Sequence, residues 1–286
     1  MTSAYHNTPV SGHVDRLIDL ALDEDIGSGD ITTEALGMHG ISGRARILAK
    51  EPMVIAGLDI VRRVYRKIDR NISFYPSAAD GDRIEAETCV AELAGGIQPL
   101  LAGERTALNF LQRLSGIATH VRAYADSMPA SGVRLTDTRK TAPGWRVLEK
   151  YSVRVGGGFN HRMGLYDGVL IKENHIAACG GIGPAVERAR RHVSHLIRIE
   201  VETEDLDQVK QALEAGADVI MLDNMGLDDI AKAVETIGGR AEIEVSGRVD
   251  RGQLERLCAA GVNIISSGAL THAARAVDLS MYIVPT

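Results

Sequence analysis

The rhythm of apolar and polar positions changes about half-way along this chain. In the second half, short apolar runs end on a polar or charged residue, and an amphipathic stretch follows each. Residues 133–137, 168–172, 197–202, 218–223, 242–246 and 263–267 read as strands, and 182–195, 206–215, 227–237 and 251–260 read as helices between them. Glu202, Asp223, Ser246 and Ser267 recur at intervals of 21, 23 and 21 residues, the length of one strand–helix unit. Strands joined by helices pair in parallel with right-handed crossovers. Six units predict a barrel that does not fully close. The runner-up is an open Rossmann-like sheet, and the absence of a Gly-x-Gly-x-x-Gly turn weighs against it.

The first half mixes its elements. Val14, Leu17, Ile18, Ala21 and Leu22 predict a helix over 14–23, which Gly27-Ser28-Gly29-Asp30 ends. Ala45, Ile47 and Ala49 alternate within a strand over 44–50. A helix follows over 58–68, then strands over 71–75 and 83–93 separated by a turn-rich stretch. A long helix over 100–128 carries Leu101, Leu108, Leu111, Leu114 and Ile117 on one stripe, with Gly116 marking a kink or a close approach. The expected organisation is a disordered tail over 1–12, a small α+β domain over 13–128 to which a C-terminal helix returns, and a barrel over 129–286 that carries the site.

Composition narrows the class. The chain has 286 residues, about two domains, and 45% hydrophobic residues exclude disorder. Thirty-two basic against 38 acidic residues, a net charge of −6, do not make a general nucleic-acid or membrane coat. Cys89, Cys179 and Cys258 are far apart, so neither a disulfide framework nor a cysteine–zinc site is expected. With no signal-peptide pattern and no bilayer-length apolar run, a cytoplasmic protein is expected.

In a parallel barrel, chemistry sits at the carboxyl ends of the strands. Those ends here are Asp137-Thr138-Arg139-Lys140, Lys172-Glu173-Asn174-His175, Glu202, Asp223, Ser246-Gly247-Arg248 and Ser267-Gly268-Ala269. Arg139, Lys140 and Lys172, joined by His161 and Arg162 after the loop Gly156-Gly157-Gly158, are cations that repel one another unless an anion binds. Individually they could pair with Glu149 or Glu173. Collectively they imply a substrate with several negative charges. The two Ser-Gly turns, each read as opening a helix, are candidate phosphate cradles. Glu202 and Asp223 would hold magnesium or ribose hydroxyls, and Glu200 faces the same side as Glu202. Arg105 reads as a solvated helix residue.

Several segments together resemble the quinolinate phosphoribosyltransferases. They are Thr136-Asp-Thr-Arg-Lys-Thr-Ala-Pro-Gly144, Gly156-Gly-Gly-Phe-Asn-His-Arg162, Leu170-Ile-Lys-Glu-Asn-His175, Glu24-Asp-Ile-Gly-Ser-Gly-Asp-Ile-Thr-Thr33, Gly103-Glu-Arg-Thr-Ala-Leu-Asn-Phe-Leu-Gln-Arg-Leu-Ser-Gly-Ile-Ala-Thr119, Met221-Leu-Asp-Asn224 and Gly268-Ala-Leu-Thr-His272. The resemblance implies an α/β fold, an N-terminal α+β sandwich domain plus an incomplete parallel, TIM-like barrel. It implies phosphoribosyl transfer from phosphoribosyl pyrophosphate to quinolinate with loss of CO2, in NAD biosynthesis. By it, Arg139, His161 and Arg162 clamp the quinolinate carboxylates, with Thr138, Lys140 and Lys172 nearby, the lysines also facing the leaving pyrophosphate. Glu202 and Asp223 bind ribose or Mg2+. Ser246, Gly247, Arg248, Ser267, Gly268, Ala269 and His272 surround the 5′-phosphate. Lys140, Lys172, Glu202 and Asp223 form the catalytic set. Arg105 reaches the neighbouring subunit's site in a homodimer or larger homo-oligomer. Apart from Mg2+ no cofactor is implied, nor any nucleic-acid or membrane partner. The family more often has glycine where Arg248 stands. A related group associated with molybdate transport, acting on another aromatic acid, shares the Thr-Arg-Lys-Thr and triple-glycine segments but usually lacks the Lys-x-Asn-His strand end that Lys172–His175 supplies. Two further rivals are a Schiff-base aldolase using Lys172 and a non-enzymatic phosphate sensor.

Overall fold

Ala45, Ile47 and Ala49 are all fully buried and form the inner face of the strand Ser42–Ala49. The computed structural model describes residues 12–130 and 132–286, which fall into two compact units. The first takes residues up to 122, 141–157 and 270–286, and the second takes 123–140 and 158–269. The tail expected over 1–12 lies outside the described residues except for Gly12, which opens the helix Gly12–Ile26.

A four-stranded antiparallel sheet organises the first unit, in the order Leu279–Pro285, Ser42–Ala49, Cys89–Gly96, Ser73–Pro76. Ile47 stands opposite Met281 on one side and Ala91 on the other. The C-terminal segment therefore returns as a strand, not a helix, with Leu279, Met281 and Ile283 alternating toward the core. The stretch 83–93, expected as one strand, is two, Arg83–Ile84 and Cys89–Gly96. Glu87 breaks it with a φ of 61°, a left-handed conformation that no strand accommodates. The helix Leu58–Ile68 matches its expected bounds and buries Leu58, Ile60, Val61, Val64 and Tyr65.

Gly116 lies within the long helix Ile97–Ala125. A Cβ there would sit 2.0 Å from the backbone oxygen of Arg275, so close approach is its role. Gly116→Ala is expected to lower stability by about 1–3 kcal/mol, toward the upper end because backbone cannot step aside as a side chain can. The urea midpoint of the variant measures this, and an unchanged midpoint would remove the packing constraint.

The second unit is built on six strands, Arg134–Thr136, Val169–Ile171, Ile199–Thr203, Val219–Asp223, Glu242–Ser246 and Ile264–Ser266. Each neighbouring pair is parallel. The strand second in sequence pairs with the third, the third with the fourth and so on to the sixth, which pairs with the first. This is the cyclic order of a singly wound barrel and has no reversal point, so the Rossmann-like alternative is set aside. Among the described residues no ladder joins Arg134–Thr136 to Val169–Ile171. The free side of the first strand carries only a parallel bridge between Thr136 and Phe159. The barrel is therefore incomplete. Among the described residues no helix is long and apolar enough to cross a membrane.

Candidate active site

Because the six strands are parallel neighbours, their carboxyl ends share one rim. Thr136 ends the first strand, and its carbonyl accepts the Ser267 N–H at 3.0 Å, placing the last Ser-Gly turn beside Thr138-Arg139-Lys140. Within that segment the Thr138 hydroxyl accepts the Lys140 N–H at 3.0 Å. Lys172 follows the strand Val169–Ile171 and precedes the helix Glu173–Cys179. His175 Nδ1 accepts the Lys172 N–H at 3.0 Å, which caps the helix start. The Lys172 amine then pairs with Glu202 on the adjacent strand.

Glu202 and Asp223 stand on neighbouring strands. One oxygen of each is engaged, Glu202 by Lys172 and Asp223 by the Asn224 amide at 2.8 Å. Among the described residues their other oxygens have no protein partner, so the pair offers hard oxygen donors of the kind magnesium takes.

Asn224 ties two strand ends together, a role the residue pattern did not reveal. Its φ is 55°, its N–H donates to Ser246 O at 3.0 Å, and its Oδ1 accepts the Arg248 N–H at 3.4 Å. Gly247 must be glycine here, since its φ is 120° and a Cβ would fall 2.4 Å from Asn224 Oδ1. Contrary to the expectation from sequence, the Ser246-Gly247-Arg248 turn does not open a helix. A 3-10 turn at Arg251–Gln253 intervenes before the helix Leu254–Ala259. Only the other turn leads directly into a helix, where Ser267-Gly268 precedes the single turn Ala269–His272.

The triple glycine does not form the mouth-crossing loop that the sequence predicts. Instead Gly156 and Gly157 close the helix Arg146–Val155, and Phe159 runs alongside the first strand. Asp137, fully buried, explains that path. Its carboxylate accepts the His161 N–H at 2.9 Å and the Asn160 amide at 2.6 Å. The Arg162 guanidinium donates to Gly168 O at 3.0 Å and is near enough to Arg139 to feel it. Burial, and then the Arg139 charge, lower the Arg162 pKa. Arg139 and Arg162 thus stand near each other.

His161 turns inward. Its Nδ1 accepts the Arg162 N–H at 2.8 Å, while Nε2 lies 3.1 Å from Glu200 and 3.6 Å from Glu244. Both ring nitrogens are engaged by protein groups. Glu200 and Glu244 sit on strands separated by one other, which in a flat sheet would stand about 9.5 Å apart. That both reach one imidazole reflects the curvature of the barrel. Burial, with the Glu200 carboxylate beside it, pushes the Glu244 pKa up to about 8.

Glu149, a possible partner of the cations, is buried in the first unit against Arg113 at 2.8 Å. Arg105, exposed on the long helix, and His272 also belong to the first unit. Arg139, Lys140, Arg162, Lys172, Glu202, Asp223, Ser246 and Ser267 belong to the second, most of them at the strand ends.

Two family models cover this chain. The N-terminal domain of quinolinate phosphoribosyl transferase matches residues 30–115, and its C-terminal domain matches 117–282. The chain belongs to the quinolinate phosphoribosyltransferase family. It is 40% identical over 286 residues to the chloroplastic nicotinate-nucleotide pyrophosphorylase (carboxylating) of Arabidopsis thaliana, covering 93% of this chain and 82% of that protein. Among solved structures it resembles NadC from Streptococcus pyogenes, with a TM-score of 0.93, 40% identity, and coverage of 98% of this chain and 100% of that one. The nicotinate-nucleotide pyrophosphorylase of Francisella tularensis gives a TM-score of 0.91 at 40% identity, with coverage of 97% and 98%.

Proposed function

We infer that this chain transfers the phosphoribosyl group of phosphoribosyl pyrophosphate to quinolinate, releasing pyrophosphate and CO2 and forming nicotinate mononucleotide for NAD biosynthesis. One observation carries the reading: cations, paired carboxylates and two Ser-Gly turns stand at the carboxyl ends of one parallel sheet, in a chain of this family.

The chemistry needs little from a cofactor. The quinolinate ring nitrogen attacks C1 of the sugar as the C1–O bond to pyrophosphate breaks. The 2-carboxylate then leaves as CO2, its C–C electron pair drawn toward the quaternised nitrogen, and a proton replaces it. Arg139 and Arg162 hold the ring's carboxylates in planar forks, with Thr138 beside them. Lys140 and Lys172 face the leaving pyrophosphate and stabilise the charge that develops on it. Glu202 and Asp223 orient the ribose and steady positive charge at C1. The oxygens they leave unpaired also suit Mg2+, which when bound neutralises pyrophosphate charge. The turns Ser246-Gly247-Arg248 and Ser267-Gly268-Ala269 receive the 5′-phosphate through N–H groups and hydroxyls.

The Lys172 amine lies against a carboxylate rather than in the apolar pocket that activates a Schiff-base lysine, which disfavours the aldolase alternative. Turnover of purified protein with quinolinate, phosphoribosyl pyrophosphate and Mg2+, and none with nicotinate, is the expected assay result. Preference for another aromatic acid would move the chain to the molybdate-associated reading, and no turnover with any acceptor would favour a sensor.

The working unit we propose is a homodimer in which Arg105 completes the partner's site. Mixed Arg105→Ala and Lys140→Ala proteins, each nearly inactive alone, are then expected to regain activity as hybrid dimers. Subunit exchange with no recovery would overturn the shared site.

A further inference from the structure

Glu200 and Glu244 are two carboxyl groups buried in the barrel interior, 7% and 2% exposed. Their Oε1 atoms are fully buried and have no hydrogen-bond partner among the described residues. Among those residues, the one basic side chain within ion-pair distance of either acid is His161, its Nε2 3.1 Å from Glu200 and 3.6 Å from Glu244. That ring brings a proton but no charge. Its Nδ1 accepts the Arg162 N–H at 2.8 Å, so its single proton is on Nε2 and is donated to Glu200. Ser266, on the next strand, adds a hydroxyl beside Glu244 and no charge either. The Arg162 guanidinium acts on Glu200 from farther off. Two ionised carboxylates at this depth would repel each other with no cation in contact. One more proton is therefore needed. Of the two acids, Glu244 is the more buried and the farther from the imidazole N–H.

We propose that Glu244 is a positioning residue for Arg162, working as an un-ionised acid that donates its proton to Glu200. The inference rests on the reading that Arg162 holds a carboxylate of quinolinate. The two acids are close enough for that bond, and a proton shared between their Oε1 atoms gives both a partner. Burial, and then the Glu200 charge, keep the proton on Glu244, whose pKa is raised to about 8. Glu200 thus accepts from both the Glu244 O–H and the His161 Nε2–H. The relay runs from the strand Glu242–Ser246 to the strand Ile199–Thr203, then through the imidazole to the Arg162 N–H. Asp137 holds the same segment from its other side by accepting the His161 N–H at 2.9 Å. Where the Arg162 side chain starts is therefore set by buried groups that never meet the reacting atoms. Such groups act on acceptor affinity more than on the chemical step.

The test pairs steady-state kinetics of two variants with a neutron map of the wild-type protein, from deuterium-exchanged crystals at neutral pH. Glu244→Ala is expected to raise the quinolinate KM by about tenfold or more, with kcat and the KM for phosphoribosyl pyrophosphate changed much less. Glu244→Gln offers an N–H donor in the same shape and is expected to stay within about threefold of the parent. A merely structural role would not split the two KM values. The map is expected to show a deuteron between Glu244 and Glu200 and one on His161 Nε2, and it decides the matter even if both variants fail to fold. Bare carboxylates, or a water molecule between them, would overturn the proposal. So would a parental quinolinate KM in Glu244→Ala, or a Glu244→Gln enzyme as impaired as Glu244→Ala. If the wild-type enzyme turns over no quinolinate, the acceptor assignment fails instead, and the map still decides where the proton is.

Discussion

Lys172→Ala is expected to lower kcat by about 10²–10³-fold while the protein stays folded. The size follows from removing one preorganised group that meets charge only as it develops in the transition state. Lys172 is at the end of a barrel strand, its backbone N–H is fixed by His175, and its amine is held on Glu202. The lysine is therefore placed before substrate arrives, and the loss falls on kcat more than on KM. The substitution also frees the Glu202 carboxylate, which is only partly exposed, and this deepens the defect at the ribose. Circular dichroism and the urea midpoint serve as controls. Because Lys172 is half-exposed and its pair with Glu202 is open to water, stability is expected to change little. A Lys172→Ala enzyme with the parental kcat would remove the lysine from the chemistry.

Arg139→Ala is expected to act on the other substrate parameter. A guanidinium fork on a carboxylate in a substrate site contributes about 2–5 kcal/mol when one partner is removed. At 1.4 kcal/mol per tenfold, that is a fall of about 30- to 3,000-fold in kcat/KM for quinolinate. The KM for phosphoribosyl pyrophosphate is expected to move little. Arg139→Lys should recover only part of the loss, since an ammonium cannot make the two parallel bonds. Steady-state kinetics with each substrate varied in turn checks this. An unchanged quinolinate KM in Arg139→Ala would place the acceptor elsewhere.

Much of the barrel was legible because each strand is a short apolar run with a polar stop. The strand Glu242–Ser246 and the helix Leu227–Ile237 fall where periodicity places them. The polar stops mark the rim for the same reason, since a parallel sheet aligns its carboxyl ends. The helix Arg146–Val155 was not legible. It buries Glu149, Lys150 and Ser152 together with Leu148, Tyr151 and Val153, so no apolar stripe separates from a polar face. The strand Leu279–Pro285 escaped because its partner Ser42–Ala49 lies more than two hundred residues away. Asp137 and Asn224 look like ordinary strand-end polar residues. Only the fold shows that one anchors the segment after the triple glycine and the other links Asp223 to the Ser246 turn. The inward turn of His161 was hidden for a similar reason. Period-two alternation says that Glu200 and Glu244 share the barrel interior, but not that curvature brings both to one imidazole.

The account rests on a single anion-binding rim at the carboxyl ends of the parallel strands, and a crystal structure with quinolinate bound tests it most directly. The predicted result is the pyridine ring at that rim, its two carboxylates hydrogen-bonded to the guanidinium groups of Arg139 and Arg162 and its ring nitrogen facing Glu202 and Asp223. Quinolinate bound in the first unit, or at the amino ends of the strands, would contradict it.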